Sequence, residues 1–343
     1  MIAKIKPGYD SHRQKLADIV PLDAPFTVFI ASTQICNFKC SYCTQSLSQE
    51  EKEAMQFRAI HMEDALFKKI VNDACEFEGK IKRVVFTGLG EPLANPRIPR
   101  MIKELNEKKI AQGYEIITNA YLLSHNMTDD LLDAGLTYLR VSIQGLTAKR
   151  YREVTGVEID FDRLMDNLCY FYERRGNCKL YIKIMDECLT DGETQEDFFH
   201  MFGDICDHIY VEHLVNAQPS MEGKYSEKMN PEMTFYGEPS QKREVCPFMF
   251  YSLQIDAEGN TFPCPPLGHS KDFSLGNLMD ASMKDIWNSE KLDTLYRMHL
   301  TGQREKVAEC INCGCYKTFT PSEDNLDPYR DEIVKRLEAR RNG

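Results

Sequence analysis

The chain has 343 residues, of which 42% are hydrophobic and 28% charged, and its formal net charge at pH 7 is −11. This composition supplies a sizeable core and excludes wholesale disorder, and the length predicts two domains or one large domain with an appendage. The negative charge disfavours a nucleic-acid partner, no apolar run reaches the roughly 18 residues of a membrane span, and the N-terminus lacks the features of a secretory signal, so we expect a cytoplasmic protein.

Six short segments rich in β-branched residues alternate with helix-like segments in the first two-thirds of the chain. The predicted strands are 27–32, 83–87, 114–118, 138–143, 180–185 and 208–214. Helical periodicity falls between them, at 63–75, 98–110, 129–133 and 162–172. This alternation predicts parallel βα units, arranged either as an open doubly wound sheet or as a full or partial barrel.

The alternation stops near residue 216. Residues 217–245 are polar and rich in proline and glycine, which predicts a loop or linker. Two short strands around residues 256–260, with Gly259 in the turn, predict a hairpin. An amphipathic helix is predicted over 282–300, where Trp287 is the only tryptophan, and a charged helix over 324–343.

Thirteen cysteines are many for a protein of a reducing compartment, where clustered cysteines more often bind metal than form disulfides. Cys36, Cys40 and Cys43 follow the first predicted strand, at the end of the sheet where βα proteins build their sites. A closed zinc site needs four ligands, and the next histidine is His61. Three thiolates suit a four-iron cluster with one open iron, and the alternative is a zinc loop completed by a distant residue.

The segment Cys36-Asn37-Phe38-Lys39-Cys40-Ser41-Tyr42-Cys43 resembles the signature of the radical S-adenosyl-L-methionine (SAM) superfamily, C-x-x-x-C-x-aromatic-C. The resemblance implies a [4Fe–4S] cluster on the three cysteines, whose open iron chelates the amino and carboxylate groups of SAM. It also implies reductive cleavage of SAM to a 5′-deoxyadenosyl radical, with flavodoxin or ferredoxin as the electron donor. Tyr42 is expected to pack against the adenine.

Further segments resemble the SAM contacts of that superfamily, in the same order along the chain. Thr87-Gly88-Leu89-Gly90-Glu91-Pro92 resembles the GGEP motif, with Leu89 separating the two glycines. The resemblance implies SAM contacts from this motif, from two later strand ends and from the helix after the fourth predicted strand, namely Gly88, Gly90, Glu91, Asn119, Ser142 and Arg152. It also implies a partial (β/α)6 TIM-like barrel over residues 25–216, preceded by an N-terminal extension, 1–24.

A second set of thiols lies near the C-terminus, in the pattern Cys246-x17-Cys264 followed by Cys310-x-x-Cys313. Two pairs of thiols suit a fully ligated iron–sulfur cluster or a zinc site. The pattern, together with Ile286-Trp287-Asn288-Ser289, resembles the SPASM/twitch extension of radical SAM enzymes. This resemblance implies one auxiliary [4Fe–4S] cluster on Cys246, Cys264, Cys310 and Cys313.

The full SPASM pattern has seven cysteines, whereas here Cys315 alone follows the last pair. The chain therefore resembles the shorter twitch version, in which Cys315 substitutes for one of the four ligands or is a bystander. We expect a small cluster-binding domain of a β-hairpin and helices over residues 246–320, after the linker 217–245, and a helical tail over 321–343.

The resemblance implies abstraction of a hydrogen atom from an unactivated C–H bond, while the protein positions the substrate and excludes water. We expect oxidation of a small polyol (a sugar, nucleotide sugar or aminocyclitol), with the auxiliary cluster as electron acceptor. An aminocyclitol dehydrogenase is among the twitch enzymes that the chain resembles. Candidate catalytic side chains lie at the site-facing strand ends: Glu187, Cys188, Glu212 and His213.

Two alternatives remain open. The first is a ribosomal-peptide maturase or epimerase, in which the Cys188 thiol returns a hydrogen atom to the substrate. About 26 residues precede the first strand, too few to fold a leader-binding module, which lowers this alternative without removing it. The second alternative is a non-enzymatic regulator that binds metal at both cysteine sites.

Overall fold

A computed structural model describes residues 1–9, 13–77, 81–190, 192–215, 221, 232–265, 268–318 and 321–342. Ten strands in these ranges form one sheet: Lys4–Ile5 (β1), Thr27–Ile30 (β2), Ile81–Phe86 (β3), Ala111–Thr118 (β4), Tyr138–Ile143 (β5), Lys179–Met185 (β6), His208–Glu212 (β7), Ser252–Ile255 (β8), Asn260–Phe262 (β9) and Gly276–Asn277 (β10). Their order across the sheet is β1-β7-β6-β5-β4-β3-β2-β8-β9-β10.

The helices of the same ranges are Gln49–Ala54 (α1), Asp64–Ala74 (α2), Ile98–Glu107 (α3), His125–Asp133 (α4), Ala148–Thr155 (α5), Phe161–Arg174 (α6), Gln195–Phe202 (α7), Met283–Trp287 (α8), Glu290–Leu300 (α9), Ala308–Ile311 (α10), Cys315–Thr318 (α11) and Arg330–Asn342 (α12). No helix in the described part of the chain has the length and apolar character needed to cross a bilayer.

The six predicted strands are confirmed as β2 to β7, and each pairs with its neighbour in parallel. Alternation along β5 shows how they pack, because Leu139 and Val141 are fully buried whereas Tyr138, Arg140 and Ser142 line an interior cavity. Residues from all six strands line that one cavity, so the sheet curves around it. This is the predicted partial (β/α)6 arrangement, and it brings the C-terminal strand ends to one rim.

The hairpin predicted around Gly259 is confirmed as β8 and β9, which pair antiparallel. The structure adds that β8 also pairs in parallel with β2, with Val28 opposite Leu253. The C-terminal segment therefore continues the sheet of the barrel. The sequence did not predict that β8 lies beside β2, because pairing between strands more than 200 residues apart leaves no local pattern in the sequence.

The N-terminal segment likewise belongs to the barrel. Its strand β1 pairs in parallel with β7, with Ile5 opposite Ile209. Gly8 follows this strand, and its carbonyl accepts a hydrogen bond of 2.6 Å from Arg140 inside the barrel. Residues 1–9 therefore extend the sheet at the edge opposite β10, where the sequence predicted only an extension.

The prediction of one continuous helix over 282–300 is wrong, because the structure has two helices there, α8 and α9. The break falls at Ser289, whose hydroxyl accepts a hydrogen bond of 3.3 Å from the Leu292 N–H. Serine in this position caps a new helix start and so ends the preceding one. The C-terminal helix begins at Arg330, six residues later than predicted.

Part of the predicted linker, 217–231, lies outside the described residues apart from Met221. The remainder is ordered around a short antiparallel bridge between Met233 and Pro239. This bridge directs Phe235 and Tyr236 to the wall of the interior cavity. The segment 232–240 is thus part of the site.

Candidate active site

The loop that follows β2 carries the first three cysteines and is anchored to its surroundings. Phe38, in the middle of the loop, is 1% exposed, and its ring stacks on Tyr121. The backbone N–H of Lys39 donates a hydrogen bond of 3.0 Å to the carbonyl of Thr155, at the end of α5. The loop is therefore fixed at the C-terminal rim of the barrel, as the sequence predicted.

The three thiols of this loop lie close enough for their charges to interact. Burial raises the pKa of Cys36 to about 12, with smaller contributions that include Cys43. Burial also raises the pKa of Cys40, and the neighbouring Cys43 adds to the effect. Because a metal ligand must be a thiolate, iron binding would displace these protons.

Among the described side chains, no three from His, Cys, Asp and Glu surround a single metal ion. The ligands of a four-iron cluster bind different irons, and three thiols of one loop fit such a group. The amide Nδ2 of Asn37, beside Cys36, is buried and has no hydrogen-bond partner among the described atoms. Its Oδ1 accepts a hydrogen bond of 2.9 Å from Asn119. A buried donor without a partner here fits a bound group that carries an acceptor, such as a carboxylate.

Gly88 and Gly90 lie where the end of β3 packs against the cysteine-bearing loop. A Cβ on Gly88 would lie 2.4 Å from the Cβ of Ala31, and one on Gly90 would lie 2.6 Å from the carbonyls of Thr33 and Ile35. Glycine is thus required here for close approach of two chain segments. The predicted direct contact of these glycines with SAM stays a prediction.

Glu91 is a buried carboxylate that joins the ends of β3 and β4. Its Oε1 accepts from the Leu93 N–H and the Thr118 hydroxyl, and its Oε2 accepts from the Asn119 N–H at 2.8 Å. Burial raises the pKa of Glu91, although these hydrogen bonds oppose the shift. The carboxylate therefore fixes the strand end that carries Asn119.

We expect Glu91→Gln to lower the free energy of unfolding by about 2 kcal/mol, because its amide nitrogen would face the Asn119 N–H and leave that buried donor unpaired. Urea unfolding of the anaerobically purified protein, followed by circular dichroism, measures the change. Glu107→Gln, at an exposed position on α3, is the matched control and should be neutral. Equal stability of the two variants would contradict the role given to Glu91.

Gln144, directly after β5, is a site residue that the sequence reasoning did not select. It is 3% exposed, and its Oε1 accepts a hydrogen bond from the Tyr42 hydroxyl. The Sγ atoms of Cys40 and Cys188 lie 3.7 and 3.8 Å from the same oxygen. Its position at a strand end was a usable signal, but the convergence of three donors on one amide is visible only in the structure.

Cys188 is buried behind Tyr42. Its thiol is 0% exposed, and burial raises its pKa to about 12, with the Tyr42 hydroxyl hydrogen-bonded to it. Tyr42 lines the interior cavity and Cys188 does not. The structure thus places Cys188 beside Tyr42 of the cysteine loop, and Cys188 is not on the wall of the cavity. Its role as a hydrogen-atom donor stays a prediction.

We expect Cys188→Ala to retain SAM cleavage and to lower the free energy of unfolding by about 1–2 kcal/mol, the effect of a small buried cavity. Cys206→Ala removes an equally buried thiol beside Phe202 and is the control. Production of 5′-deoxyadenosine and urea unfolding are the measurements. Loss of hydrogen return to the substrate in the Cys188 variant alone would identify this thiol as a donor.

Ser142 and Arg152, both predicted to contact SAM, lie in different environments. Ser142 lines the interior cavity at the end of β5. The side chain of Arg152 is 68% exposed and forms an ion pair of 2.7 Å with Glu158. Arg150, two residues earlier on the same helix, instead reaches inward and donates a hydrogen bond of 3.0 Å to the Cys188 carbonyl.

Of the other predicted catalytic residues, Glu212 lines the cavity, whereas Glu187 and His213 are not on its wall. Glu212 is 3% exposed and forms an ion pair with Lys183. Burial raises its pKa, and the Lys183 charge opposes that shift. His213 pairs through Nδ1 with Asp186 at 2.8 Å.

The interior cavity has a volume of about 860 Å³. Tyr42 lies on its wall near the first cysteine group, and Cys315 lies on its wall near the second. Tyr9 from the N-terminal segment and Tyr236 from the segment 232–240 close other parts of the wall, and their rings contact each other with centroids 5.0 Å apart. The volume lies in the range of about 300–1,000 Å³ that is typical of small-molecule sites.

The second cysteine group is also brought together. Burial raises the pKa of Cys246 and of Cys264, and the charges of Cys310 and Cys313 add to both shifts. Thiols on either side of the β8–β9 hairpin therefore interact with thiols in and after α10, across a sequence separation of more than 40 residues. Cys246 and Cys264 are buried, Cys310 and Cys313 are half-buried, and four thiols whose charges interact in this way fit the ligand set of an iron–sulfur cluster.

Cys315 belongs to this group in space. Its thiol donates to Cys313 and lowers the pKa of Cys313. It is 3% exposed, and it lines the interior cavity. The second cysteine group therefore adjoins the cavity through the one residue whose role the sequence left open.

Two buried histidines accompany the second group and were missed from the sequence. His299 accepts a hydrogen bond of 3.2 Å at Nδ1 from the Cys246 N–H, and the Nε2 of His269 lies 3.4 Å from the Cys264 Sγ. Burial lowers the pKa of each imidazole to about 4, so both are neutral at pH 7. Their spacing to the cysteines matches no local motif, which is why the sequence gave no signal.

Two protein-family models match this chain, and each match contains one of the two cysteine groups. A family model described as the radical SAM superfamily matches residues 30–202, half of the chain. A second model, described as an iron–sulfur cluster-binding domain (SPASM), matches residues 246–314. These matches contain Cys36, Cys40 and Cys43 in the first case and Cys246, Cys264, Cys310 and Cys313 in the second.

Individual relatives share only part of their length, or a low sequence identity, with this chain. A probable GTP 3′,8-cyclase of Metallosphaera sedula is 33% identical over 129 residues, 38% of this chain and 37% of that protein. Among solved structures, SuiB of Streptococcus suis bound to the precursor peptide SuiA has a TM-score of 0.59 at 17% identity, covering 93% of this chain and 78% of that one. BtrN in complex with AdoMet and 2-DOIA has a TM-score of 0.50 at 17% identity, covering 84% and 92%. These likenesses concern the fold.

Proposed function

The chain belongs to the radical SAM superfamily of enzymes, and from this premise we propose that it oxidises a hydroxyl-bearing carbon of a small polyol, such as a sugar, nucleotide sugar or aminocyclitol. Its families imply a SAM-binding [4Fe–4S] cluster, SAM and an auxiliary iron–sulfur cluster. When bound, these groups supply the acceptors for one hydrogen atom and one electron. We assign Cys36, Cys40 and Cys43 to the first cluster and Cys246, Cys264, Cys310 and Cys313 to the second.

The cavity between the two cysteine groups carries this proposal. Tyr42, from the first cysteine loop, and Cys315, two residues after Cys313, line the same cavity. A substrate in that space is adjacent to both groups at once. This arrangement suits a two-electron oxidation, because the hydrogen atom and the electron leave the substrate toward different acceptors.

The lining of the cavity suits a hydroxylated substrate. Five tyrosines of the described residues line it, namely Tyr9, Tyr42, Tyr138, Tyr236 and Tyr251, together with hydroxyl and amide side chains from several strands. Phenol groups offer an apolar ring and one hydrogen-bonding oxygen, which matches the alternating C–H and O–H groups of a sugar ring.

Glu212 is the group that we assign to the proton of the substrate hydroxyl. Oxidation of a secondary alcohol to a ketone removes one hydrogen atom from carbon, one proton from oxygen and one electron. The Glu212 carboxylate faces the cavity, and Lys183 beside it stabilises the charged form that accepts a proton.

The test is anaerobic turnover with a panel of sugars, nucleotide sugars and aminocyclitols, with ferredoxin or flavodoxin as the reductant. We expect one 5′-deoxyadenosine for each keto product, and deuterium placed on the oxidised carbon should appear in 5′-deoxyadenosine. Glu212→Gln should lower product formation while SAM cleavage continues. Solvent deuterium at an otherwise unchanged carbon would overturn the oxidation and indicate epimerisation.

A peptide substrate is the competing outcome of the same assay. Turnover of a ribosomal precursor peptide, with no product from any member of the polyol panel, would replace the small-molecule proposal. The absence of any SAM cleavage by protein with both clusters loaded would contradict the enzymatic assignment itself.

A further inference from the structure

His269 lies beside the second cysteine group and directs a ring nitrogen toward one of its sulfurs. Its Nε2 is 3.4 Å from the Sγ of Cys264, a hydrogen-bonding distance for a sulfur atom. Cys264 follows β9, and His269 lies before β10, in the segment between the two strands. The imidazole therefore occupies a position from which it can act on a residue that we assign to the auxiliary cluster.

The state of the sulfur decides which atom of this contact donates. A cysteine that holds iron is a thiolate, which accepts hydrogen bonds and has no proton to donate. A neutral imidazole carries one proton, on either ring nitrogen. On Nε2 that proton meets the sulfur, whereas on Nδ1 it would be a buried donor without a partner among the described atoms. In the loaded protein the Nε2–H of His269 therefore donates to Cys264.

Two aromatic rings hold the imidazole in this orientation. Phe262 stacks on it with ring centroids 5.8 Å apart, and the ring of Phe273 lies 4.9 Å away at an interplanar angle of 51°. Both phenylalanines are 5% exposed. The imidazole thus has apolar neighbours, and a hydrogen bond in such surroundings is electrostatically stronger than one in water.

His299, the other buried histidine of this group, makes a different kind of contact. Its Nδ1 accepts a hydrogen bond of 3.2 Å from the Cys246 N–H. This contact orients the backbone of Cys246 and brings no proton to its sulfur. Of these two histidines, His269 is therefore the one whose described contact reaches a sulfur.

We propose that His269 is a positioning residue of the auxiliary cluster, whose Nε2–H donates to the Cys264 thiolate and raises the reduction potential of that cluster. A hydrogen bond to a ligand sulfur withdraws negative charge from it and so stabilises the reduced, more negative state. The auxiliary cluster then gains more readily the single electron that the substrate radical loses. The inference rests on the proposed function, in which Cys264 holds the auxiliary cluster and this cluster accepts the electron.

Two substitutions test the inference on the full chain with both clusters loaded. His269→Phe removes the donor and keeps an aromatic ring, whereas His269→Gln keeps an amide N–H close to the position of Nε2. The measurement is a reductive titration followed by electron paramagnetic resonance. SAM should alter the signal of the cluster that has an open iron, so the signal that SAM leaves unchanged belongs to the auxiliary cluster.

We expect His269→Phe to lower the midpoint potential of the auxiliary cluster by about 59 mV, which corresponds to about a tenfold change in a one-electron equilibrium constant. His269→Gln should restore most of this difference, and both variants should keep the iron content of the unmodified protein. His208→Phe is the control, because this half-buried imidazole contacts the Tyr138 hydroxyl, at 3.1 Å, outside both cysteine groups. Its midpoint potential should equal that of the unmodified protein.

A second measurement decides the inference even if His269→Phe does not fold. In protein with ¹⁵N-labelled histidine, the reduced auxiliary cluster should show a weak hyperfine coupling to an imidazole nitrogen. A weak coupling indicates a hydrogen bond to sulfur, whereas a strong one indicates a nitrogen bound to iron. The weak coupling should be absent from His269→Gln, in which this imidazole is replaced.

A midpoint potential of His269→Phe equal to that of the unmodified protein would overturn the inference, as would a His269→Gln potential as low as that of His269→Phe. Loss of about four irons from His269→Phe, or a strong nitrogen coupling, would also overturn it and make His269 a ligand. The potentials are measured without turnover. A lowered potential without keto product from the polyol panel removes the proposed function, and keto product with an unchanged potential removes only the role of His269.

Discussion

Cys40→Ala is expected to abolish SAM cleavage, with 5′-deoxyadenosine falling below detection, and to remove about four irons per chain. A four-iron cluster held by three thiolates has no spare protein ligand, so loss of one leaves two irons open and the cluster unstable. Cys40 is also the cysteine of this loop whose sulfur approaches Gln144, at 3.7 Å. Its loss therefore removes both a ligand and a contact that fixes the loop.

The measurements for Cys40→Ala are iron and sulfide content after anaerobic purification and 5′-deoxyadenosine formation with dithionite. Cys75→Ala, at an exposed thiol after α2, is the control and should keep full iron content and activity. Circular dichroism should show that both variants are folded. SAM cleavage by Cys40→Ala at the unmodified rate would contradict the assignment of this loop to the cluster.

The double variant Cys264→Ala/Cys310→Ala is expected to separate the two halves of the reaction. It should lose about four irons per chain and nearly all keto product, but keep SAM cleavage. The reason is spatial, because these two thiols belong to the second cysteine group, whereas the loop that we propose holds the SAM-cleaving cluster follows β2. Without the second site, the substrate electron has no acceptor beside the cavity.

Cys169→Ala, at a half-buried thiol on α6 outside both groups, is the control for this double variant. Product analysis, iron content and 5′-deoxyadenosine formation are measured in parallel. Keto product at the unmodified level, despite loss of the second set of irons, would show that the auxiliary site is not the electron acceptor. Cys315→Ala distinguishes a ligand from a bystander, since a ligand's loss lowers the iron content.

Local sequence patterns predicted much of the fold and the positions of both cysteine groups. The spacing of Cys36, Cys40 and Cys43 indicated the superfamily, because these three cysteines lie within one loop of eight residues and so form a local pattern. The six parallel strands were also recognisable, since each is a short run of apolar and β-branched residues between helical segments. The hairpin around Gly259 carried its own turn signal.

Long-range placement was not encoded in any such pattern. Cys188 and Gln144 both follow predicted strands. In the structure the Cys188 thiol is buried beside Tyr42, whereas the side-chain oxygen of Gln144 lies within reach of three donors. Arg152 points to solvent and pairs with Glu158, while Arg150 reaches inward. These differences depend on rotation about a helix axis and on strand register, which neighbouring residues alone do not set.

The sequence by itself determined the chemistry available to this protein, because the ligand spacing of a cofactor loop and the periodicity of strands and helices are local properties. The tertiary structure alone decided which side chains line one cavity. Tyr42, Arg140, Glu212 and Cys315 come from distant parts of the chain and meet on one cavity wall. They meet because parallel pairing of β2 to β7, extended by β8 beside β2 and by β1 beside β7, forms one curved sheet around the cavity.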